Sequence, residues 1–210
     1  MFLLPFLLIS CAKGPQKESE FYFNDFENRN VDKITGAQIT SFNQSTVLGR
    51  YNNGGFKLEL NDLSRHDLIE ISFDLYLHDS WDGNLNGDQV GGPDIWIMKA
   101  SGERLIYTTF SNQECPVQTC VGQSYPATFP NYNNPPRAGV FRGDLPGACH
   151  LAGKVRGSST QYKISKTIKH QGSNFTLECL DELKQNNAPS ELCDESWSVD
   201  NIRIKGIVLN

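Results

Sequence analysis

The segment Leu68-Ile-Glu-Ile-Ser-Phe-Asp-Leu-Tyr-Leu77 constrains the fold most. Ile69, Ile71, Phe73, Leu75 and Leu77 alternate with Glu70, Ser72, Asp74, Tyr76 and His78. Successive side chains of a strand point to opposite faces, so this alternation predicts a long strand with one face in a core and the other turned outward. Similar runs predict strands at Phe21–Asn24, Ala37–Thr40, Gly55–Leu60, Asp94–Lys99, Leu105–Phe110, Gln161–His170, Asn174–Leu180 and Ser198–Val208. The clusters YNNGG, DGNLNGD, SGER and HQGSN separate them with turn residues. Only Leu180–Gln185 reads as a short helix. Many strands joined by polar turns predict an all-β, two-sheet antiparallel β-sandwich. Between Ser111 and Ser159 the pattern breaks into a long irregular excursion dense in Pro, Gly and Asn, longer than ordinary connections.

A chain of 210 residues fits one domain and can bury a core without depending on disulfides. Its 19 basic and 24 acidic residues leave a net charge of −5 and no basic patch for a nucleic acid. The acid is concentrated at Asp79–Asp94 and Asp194–Asp200, which favours a cation as partner. The stretch DSWDGNLNGDQVGGPD has four Asp, two Asn and four Gly, and too few apolar residues to build a core. Calcium takes about six to eight oxygens from carboxylates, amides and carbonyls. Asp82-Gly-Asn84-Leu-Asn86-Gly87 matches the first half of an EF-hand loop, but Pro93 stands where the closing Glu belongs and the flanks read as strands. A different calcium loop is then expected, built from Asp82, Asn84, Asn86, Asp88 and Asp94, with Asp194 and Glu195 reaching it from the last loop. The alternative is a solvated hairpin of ordinary turn residues. An early and a late strand lying side by side would bring Glu27 to Asp200 as a second cation site; otherwise both face water at strand ends.

The N-terminal run MFLLPFLLISCAKG is too short to span a bilayer as a helix. Leu8-Ile-Ser-Cys11 resembles a bacterial lipobox, with small Ser10 before a cysteine that would carry lipid, although no Lys or Arg precedes the run. This reading makes residues 1–10 a signal peptide, 11–20 a lipidated tether and 21–210 the sandwich domain. It places the protein on the outside of the cytoplasm in the bacterial cell envelope, on the outer membrane in preference to the inner. An exported chain favours disulfides. The sequence-local pairs are Cys115–Cys120 and Cys179–Cys193, which leave Cys149 over, and spacing alone does not fix connectivity.

An early D-F-E (Asp25–Glu27) with a final V-D-N-I (Val199–Ile202) resembles jelly-roll modules of the concanavalin-A-like, laminin-G-like and MAM kind. Carbohydrate-binding jelly rolls of that appearance hold a structural calcium between their first and last strands. More narrowly, the ordered set ISFDLYLHDSWDG, GGPDIW, TTFSN, QSYP and DESWSVDNIRI resembles a group of bacterial secreted modules over roughly Phe21–Val208, with residues 131–159 outside the resemblance. The resemblance implies a jelly-roll fold and an exported location, with Asp82, Asp94, Asp194 and Glu195 at one end of the sandwich.

For catalysis the outward carboxylates of the best strand are Glu70 and Asp74. Four residues along a strand separate them by about 13 Å, whereas a glycosidase pair stands about 5 to 9.5 Å apart. No G-x-S-x-G, H-E-x-x-H or P-loop occurs. The expectation is a non-catalytic, calcium-stabilised module that binds a cell-surface or environmental glycan. Trp81, Trp96, Tyr125 and Tyr132 are its candidate ligand platforms. The alternatives are an adhesion or structural lipoprotein binding a surface protein and, behind both, a glycoside hydrolase or polysaccharide lyase.

Overall fold

The computed structural model describes residues 17–85, 91–112, 120–149, 156–184 and 190–210. Among them nine sequence-predicted strands and three that sequence reasoning missed, Ile34–Thr35, Ser45–Tyr51 and Arg142–Pro146, form two antiparallel sheets. One contains β1 (Lys17–Asn24), β3 (Ile39–Phe42), β4 (Ser45–Tyr51), β6 (Leu68–Asp79), β9 (Arg142–Pro146), β10 (Arg156–Lys169) and β12 (Glu195–Val208), in the order β3-β4-β12-β6-β10-β9, with β1 also on β12. The other runs β2-β5-β11-β7-β8, from β2 (Ile34–Thr35), β5 (Gly55–Leu60), β7 (Ile95–Ala100), β8 (Glu103–Thr109) and β11 (Phe175–Glu182). The α/β alternation of a parallel sheet is absent among the described residues, as the strand-rich sequence requires.

The alternation in β6 is realised. Ile69, Ile71, Leu75 and Leu77 are fully buried between the sheets, and Ser72, Asp74 and Tyr76 face outward. The opposing sheet supplies Leu58, Trp96, Met98 and Leu177. Trp96 and Trp197 meet edge to face with centroids 5.9 Å apart at the centre of this core. Burying each such side chain contributes roughly 1.5 to 3 kcal/mol, the main favourable term holding the sheets together.

Sequence and structure differ at four places. Leu180–Gln185 is not helical: its described start continues β11, because the inward positions Leu177, Cys179 and Asp181 keep a period of two. The short helix α1 lies instead at Glu191–Asp194. β1 starts at Lys17, inside the stretch read as tether, because Lys17–Glu20 pair with β12. Cys179 does not pair with Cys193. Its thiol is fully buried in the core, while Cys193 bonds Cys149, the cysteine that local spacing left over. Cys120 is disulfide-bonded. The signal peptide, Cys11, Asn86, Asp88 and Cys115 lie outside the described residues.

The excursion is not a featureless loop. Fully buried Gln123 ties it down: its Oε1 accepts from the Ser111 and Arg137 backbone N–H groups, and its Nε2 donates to the Tyr125 and Ala138 carbonyls. The chain then returns as β9, the edge strand beside β10, with Leu145 turned to the outer face of the larger sheet. There Phe42, Val47, Tyr76 and Leu145 form a second, smaller apolar cluster. His78 is buried beside it between the Ser159 and Ser198 hydroxyls, and burial holds its ring neutral, with the pKa pushed down to about 3.

Candidate functional site

Two regions of the sandwich collect polar side chains that the core does not need. The first is the acidic end. β6 and β12 pair antiparallel with Asp79 opposite Glu195, so the loops leaving both strands meet there. Gly83 has φ +66, and a Cβ on it would run into the Gly122 carbonyl oxygen; only glycine lets the acidic loop press this closely on the excursion. Asp94 is fully buried at the start of β7. Its Oδ2 accepts the Asp82 backbone N–H, and its own N–H donates to the Gly83 carbonyl. Its Oδ1 is buried and receives no hydrogen bond from a described backbone group. The carboxyl of fully buried Glu195 lies within hydrogen-bonding reach of Asp94. Burial, and then the Asp82 charge against the opposing hydrogen bonds, pushes the Asp94 carboxyl up to about 7. Two adjacent carboxyls in a water-poor site do not both stay ionised unless a cation lies between them; otherwise they share a proton.

The structure thus brings together Asp82, Asp94 and Glu195 of the predicted calcium set. The others are differently engaged. Asn84 Oδ1 accepts from the Thr109 and Ser124 hydroxyls, and its Nδ2 donates to Tyr132 O and Asn133 Oδ1, so its carboxamide serves to dock the excursion. Asp194 Oδ1 accepts from the Ser80 hydroxyl. Among the described residues no three His, Cys, Asp or Glu side chains converge as a group able to hold a metal. Glu27 and Asp200 do meet, because β1 lies along β12: Ser45 Oγ stands 2.6 Å from Glu27 Oε1 and 3.1 Å from Asp200 Oδ2. One hydroxyl hydrogen serves only one of them. Asp200 is pushed up to about 6, first by burial and then by Asp74 and Glu27, against its hydrogen bonds.

The second region is a groove on the outer face of the larger sheet, on the half that β9 leaves uncovered. Its volume is ≈ 480 Å³ and its lining includes Phe23, Ser72, Asp74, Asn201, Arg203, Lys163 and Ser165. Cross-strand register sets these side by side: Phe23 faces Arg203, Arg203 faces Ser72, and Ser72 faces Ser165. Asn201 occupies the bulge of β12 at φ +55, a conformation Asn tolerates better than most residues, and its Nδ2 donates to Asp74 Oδ2. Lys163 Nζ donates to Asp74 Oδ1 and lies over the Phe141 ring, while Arg203 lies over Phe23. Phe23 and Phe141 are 41 % and 57 % exposed, whereas most large apolar residues are buried. Phe23 lines the groove, and Phe141 adjoins it through the Lys163 side chain.

These are not the aromatics predicted as platforms. Trp81 and Trp96 are fully buried, Trp81 donating its ring N–H to the Ser196 carbonyl; both close the core and neither presents a plane to a ligand. Tyr125 is half-buried against Phe110 and Tyr162. Tyr132 is exposed, at 56 %, on the excursion. Phe23, Phe141, Lys163, Asn201 and Arg203 were missed. Outward parity along the predicted strands could have found Lys163 and Arg203; no sequence signal marks Phe141.

The strand pairing and the buried face of β6 define the class: a two-sheet antiparallel β-sandwich of the jelly-roll type. No protein-family model matches the chain, and no curated protein matches it. Among solved structures it resembles a family 35 carbohydrate-binding module from Clostridium thermocellum, at 9 % identity over 90 % of this chain and 97 % of that one, TM-score 0.35. It also resembles a carbohydrate-binding module of Cellvibrio mixtus lichenase 5A in complex with cellotriose, at 10 % identity over 89 % and 97 %, TM-score 0.36. A third is the CBM22-2 xylan-binding domain of Paenibacillus barcinonensis Xyn10C, at 13 % identity over 89 % and 99 %, TM-score 0.38. Nothing about a ligand follows from likeness of this degree.

Proposed function

We propose that the protein is a non-catalytic carbohydrate-binding module of the bacterial cell envelope, anchored through a lipid on Cys11 and stabilised by calcium. The observation that carries the binding reading is the groove. Exposed Phe23 lines a floor of hydrogen-bonding groups from Ser72, Asp74, Lys163, Ser165 and Asn201, and exposed Phe141 adjoins it under Lys163. A sugar presents an apolar face to an aromatic ring and hydroxyls to such polar groups. The floor carries both signs of charge, paired as Lys163–Asp74 and Arg203–Glu20, which suits a neutral glycan.

The calcium reading is supported by the fully buried pair Asp94 and Glu195 with Asp82 beside them. Calcium bound beside the pair would neutralise it, with Asp94 and Glu195 as its side-chain ligands. Export is supported by the Cys149–Cys193 disulfide, which needs an oxidising compartment, together with the Leu8–Cys11 sequence.

The test is affinity electrophoresis of the full chain through a panel of neutral polysaccharides, followed by titration calorimetry on the best ligand. Phe23→Ala and Phe141→Ala should each weaken binding at least about tenfold, which is about 1.4 kcal/mol, with the thermal midpoint unchanged. Retention of full affinity by both variants would refute the groove. If Tyr132→Ala alone then abolished capture of a cell-surface protein, the second reading, an adhesion module working through exposed Tyr132, would take its place. Lipidation is checked separately by labelled-palmitate incorporation, lost in Cys11→Ser.

A further inference from the structure

The end of the sandwich near the β5–β6 and β10–β11 turns holds a histidine pair that neither the groove nor the acidic site uses. His66 Nε2 and His170 Nδ1 are 2.7 Å apart. The ring planes differ by 8° and the centroids are 5.0 Å apart. Parallel rings with nitrogens this close are not stacked face to face; they lie edge to edge in nearly one plane, the arrangement of an N–H···N hydrogen bond. The outer nitrogens are also engaged: His66 Nδ1 lies 2.7 Å from the Ser64 carbonyl oxygen and His170 Nε2 lies 3.1 Å from that of Asn174.

Proton counting follows from the acceptors. A carbonyl oxygen only accepts, so His66 Nδ1 and His170 Nε2 each carry a hydrogen. The contact between the rings needs one more, since two bare lone pairs, or two N–H groups, would repel at that distance. All three hydrogen bonds exist together only with three protons on four nitrogens, a pair of charge +1. His66 is 3 % exposed, whereas His170 is half-buried, so the pair meets the solvent side through His170.

The charge faces a cavity of ≈ 560 Å³ lined by Arg65, Asp67, Lys169, His170 and Gln171 among others. Neither Arg65 nor Lys169 forms an ion pair among the described residues. Asp67 keeps its negative charge beside Arg65 and His66, Oδ1 accepting from Gln171 Nε2 and Oδ2 from the Leu209 backbone N–H, so the two basic side chains and the charged pair face one carboxylate. From β1 the ring of Phe21 packs on His66 and from β11 that of Phe175 on His170, and beyond β12 Leu209 and Asn210 close the wall.

We propose that His66 and His170 share one proton and, with Arg65 and Lys169, make this cavity a pH-gated site for an oxyanion, the sulfate or carboxylate group of an acidic ligand. The proposal stands apart from the glycan groove. Binding an anion favours the protonated pair, and the protonated pair favours the anion, by reciprocal linkage. Burial, and then the charge of His66, holds the His170 pKa below its ordinary value, as a pair that resists a second proton requires.

The test is a pH titration of the full chain labelled with ¹⁵N-histidine, with and without sodium sulfate. Below one transition the pair should show three protonated nitrogens, and above it two. Sulfate should raise that transition pH, and its affinity should fall about tenfold per pH unit above it. Glucuronate and polygalacturonate are the further probes. A shift with sulfate alone identifies a small inorganic oxyanion, and a shift with a uronate as well identifies an acidic sugar; either supports the site. Arg65→Gln combined with Lys169→Gln should abolish the shift while the three-proton signature remains. Two independent ordinary imidazole titrations would overturn the shared proton. No shift with any probe, or a shift that survives the double substitution, would overturn the anion site.

Discussion

Replacing Asp94 with Asn tests the acidic end directly. The Asp94 carboxyl is fully buried and is pushed from its ordinary 3.8 to about 7, chiefly by burial. A difference of that size corresponds to about 4 kcal/mol between the two protonation states. The folded state keeps a proton that the unfolded chain releases near pH 4. Between pH 4 and pH 7 the native protein therefore binds more protons than the unfolded one, and stability falls as pH rises through that window. Below pH 4 the carboxyl is neutral in both states and costs nothing; above pH 7 the full cost is present. In Asp94→Asn the new carboxamide would accept the Asp82 N–H through its oxygen and turn its NH₂ toward Glu195, keeping the shape without the charge. Glu195 shares the proton, so the realised gain will be somewhat less than 4 kcal/mol.

The assay is urea unfolding with linear extrapolation, from pH 4.5 to pH 8.5 in chelator. Asp94→Asn should exceed wild type by no more than about 1 kcal/mol at pH 4.5 and by roughly 2 to 4 kcal/mol at pH 8. Adding calcium at a hundred times its dissociation constant should then raise wild type by about 2.7 kcal/mol and leave the variant nearly unmoved. Parallel pH curves for the two proteins would show that Asp94 carries no burial cost and would refute the electrostatic reasoning. A gap that opens with pH but ignores calcium would show that a proton alone holds the pair, and the calcium reading would fall while the burial argument stood.

Three other outcomes are expected. In the groove, Lys163→Ala should weaken glycan binding along with Phe141→Ala, because the ammonium group positions both the Phe141 ring and Asp74; calorimetry on the single and double variants should show less than additive losses. Cys149→Ser with Cys193→Ser opens a cross-link between residues 44 apart, worth about 4 kcal/mol in the chain-entropy model, so the thermal midpoint should fall by several degrees. The Cys179 thiol is fully buried and its pKa is raised by burial, so iodoacetamide should leave it unmodified until denaturant exposes it, which mass spectrometry of the labelled chain will read.

The fold was legible because period-two alternation is a direct consequence of strand geometry. β6 and β5 were readable almost to their ends, and the first and last strands do lie side by side, with Glu27 near Asp200. Of the four positions that the motif resemblance put at one end, Asp82, Asp94 and Glu195 lie together there, while Asp194 is engaged by Ser80. Sequence proximity misled at the cysteines, since Cys179 faces inward on β11 and Cys193 sits where helix α1 meets the returning excursion. Side-chain type misled at the tryptophans: a large ring beside a polar loop reads equally as a ligand platform or as the plug beneath it, and the opposing sheet decides which.

The groove was illegible for a different reason. Alternation separates the inward from the outward positions of β6, yet its outward residues do not share one fate. Tyr76 lies beneath the Phe42, Val47 and Leu145 cluster, and His78 is wholly buried beside it, whereas Ser72 and Asp74 line the groove. The dividing line is where β9 stops pairing with β10, at Gln161 opposite Arg142. Phe141, just before β9, marks the boundary, its N–H donating to the Gln161 carbonyl and its ring left exposed. The excursion therefore decides which part of a polar strand face becomes core and which part stays available to a ligand. Its path is set by long-range ties at Gln123, Asn84, Ala148 to Asp79, and Cys149 to Cys193. Each tie joins residues too far apart in sequence for local periodicity to register, so the binding face follows from tertiary closure and not from any one segment.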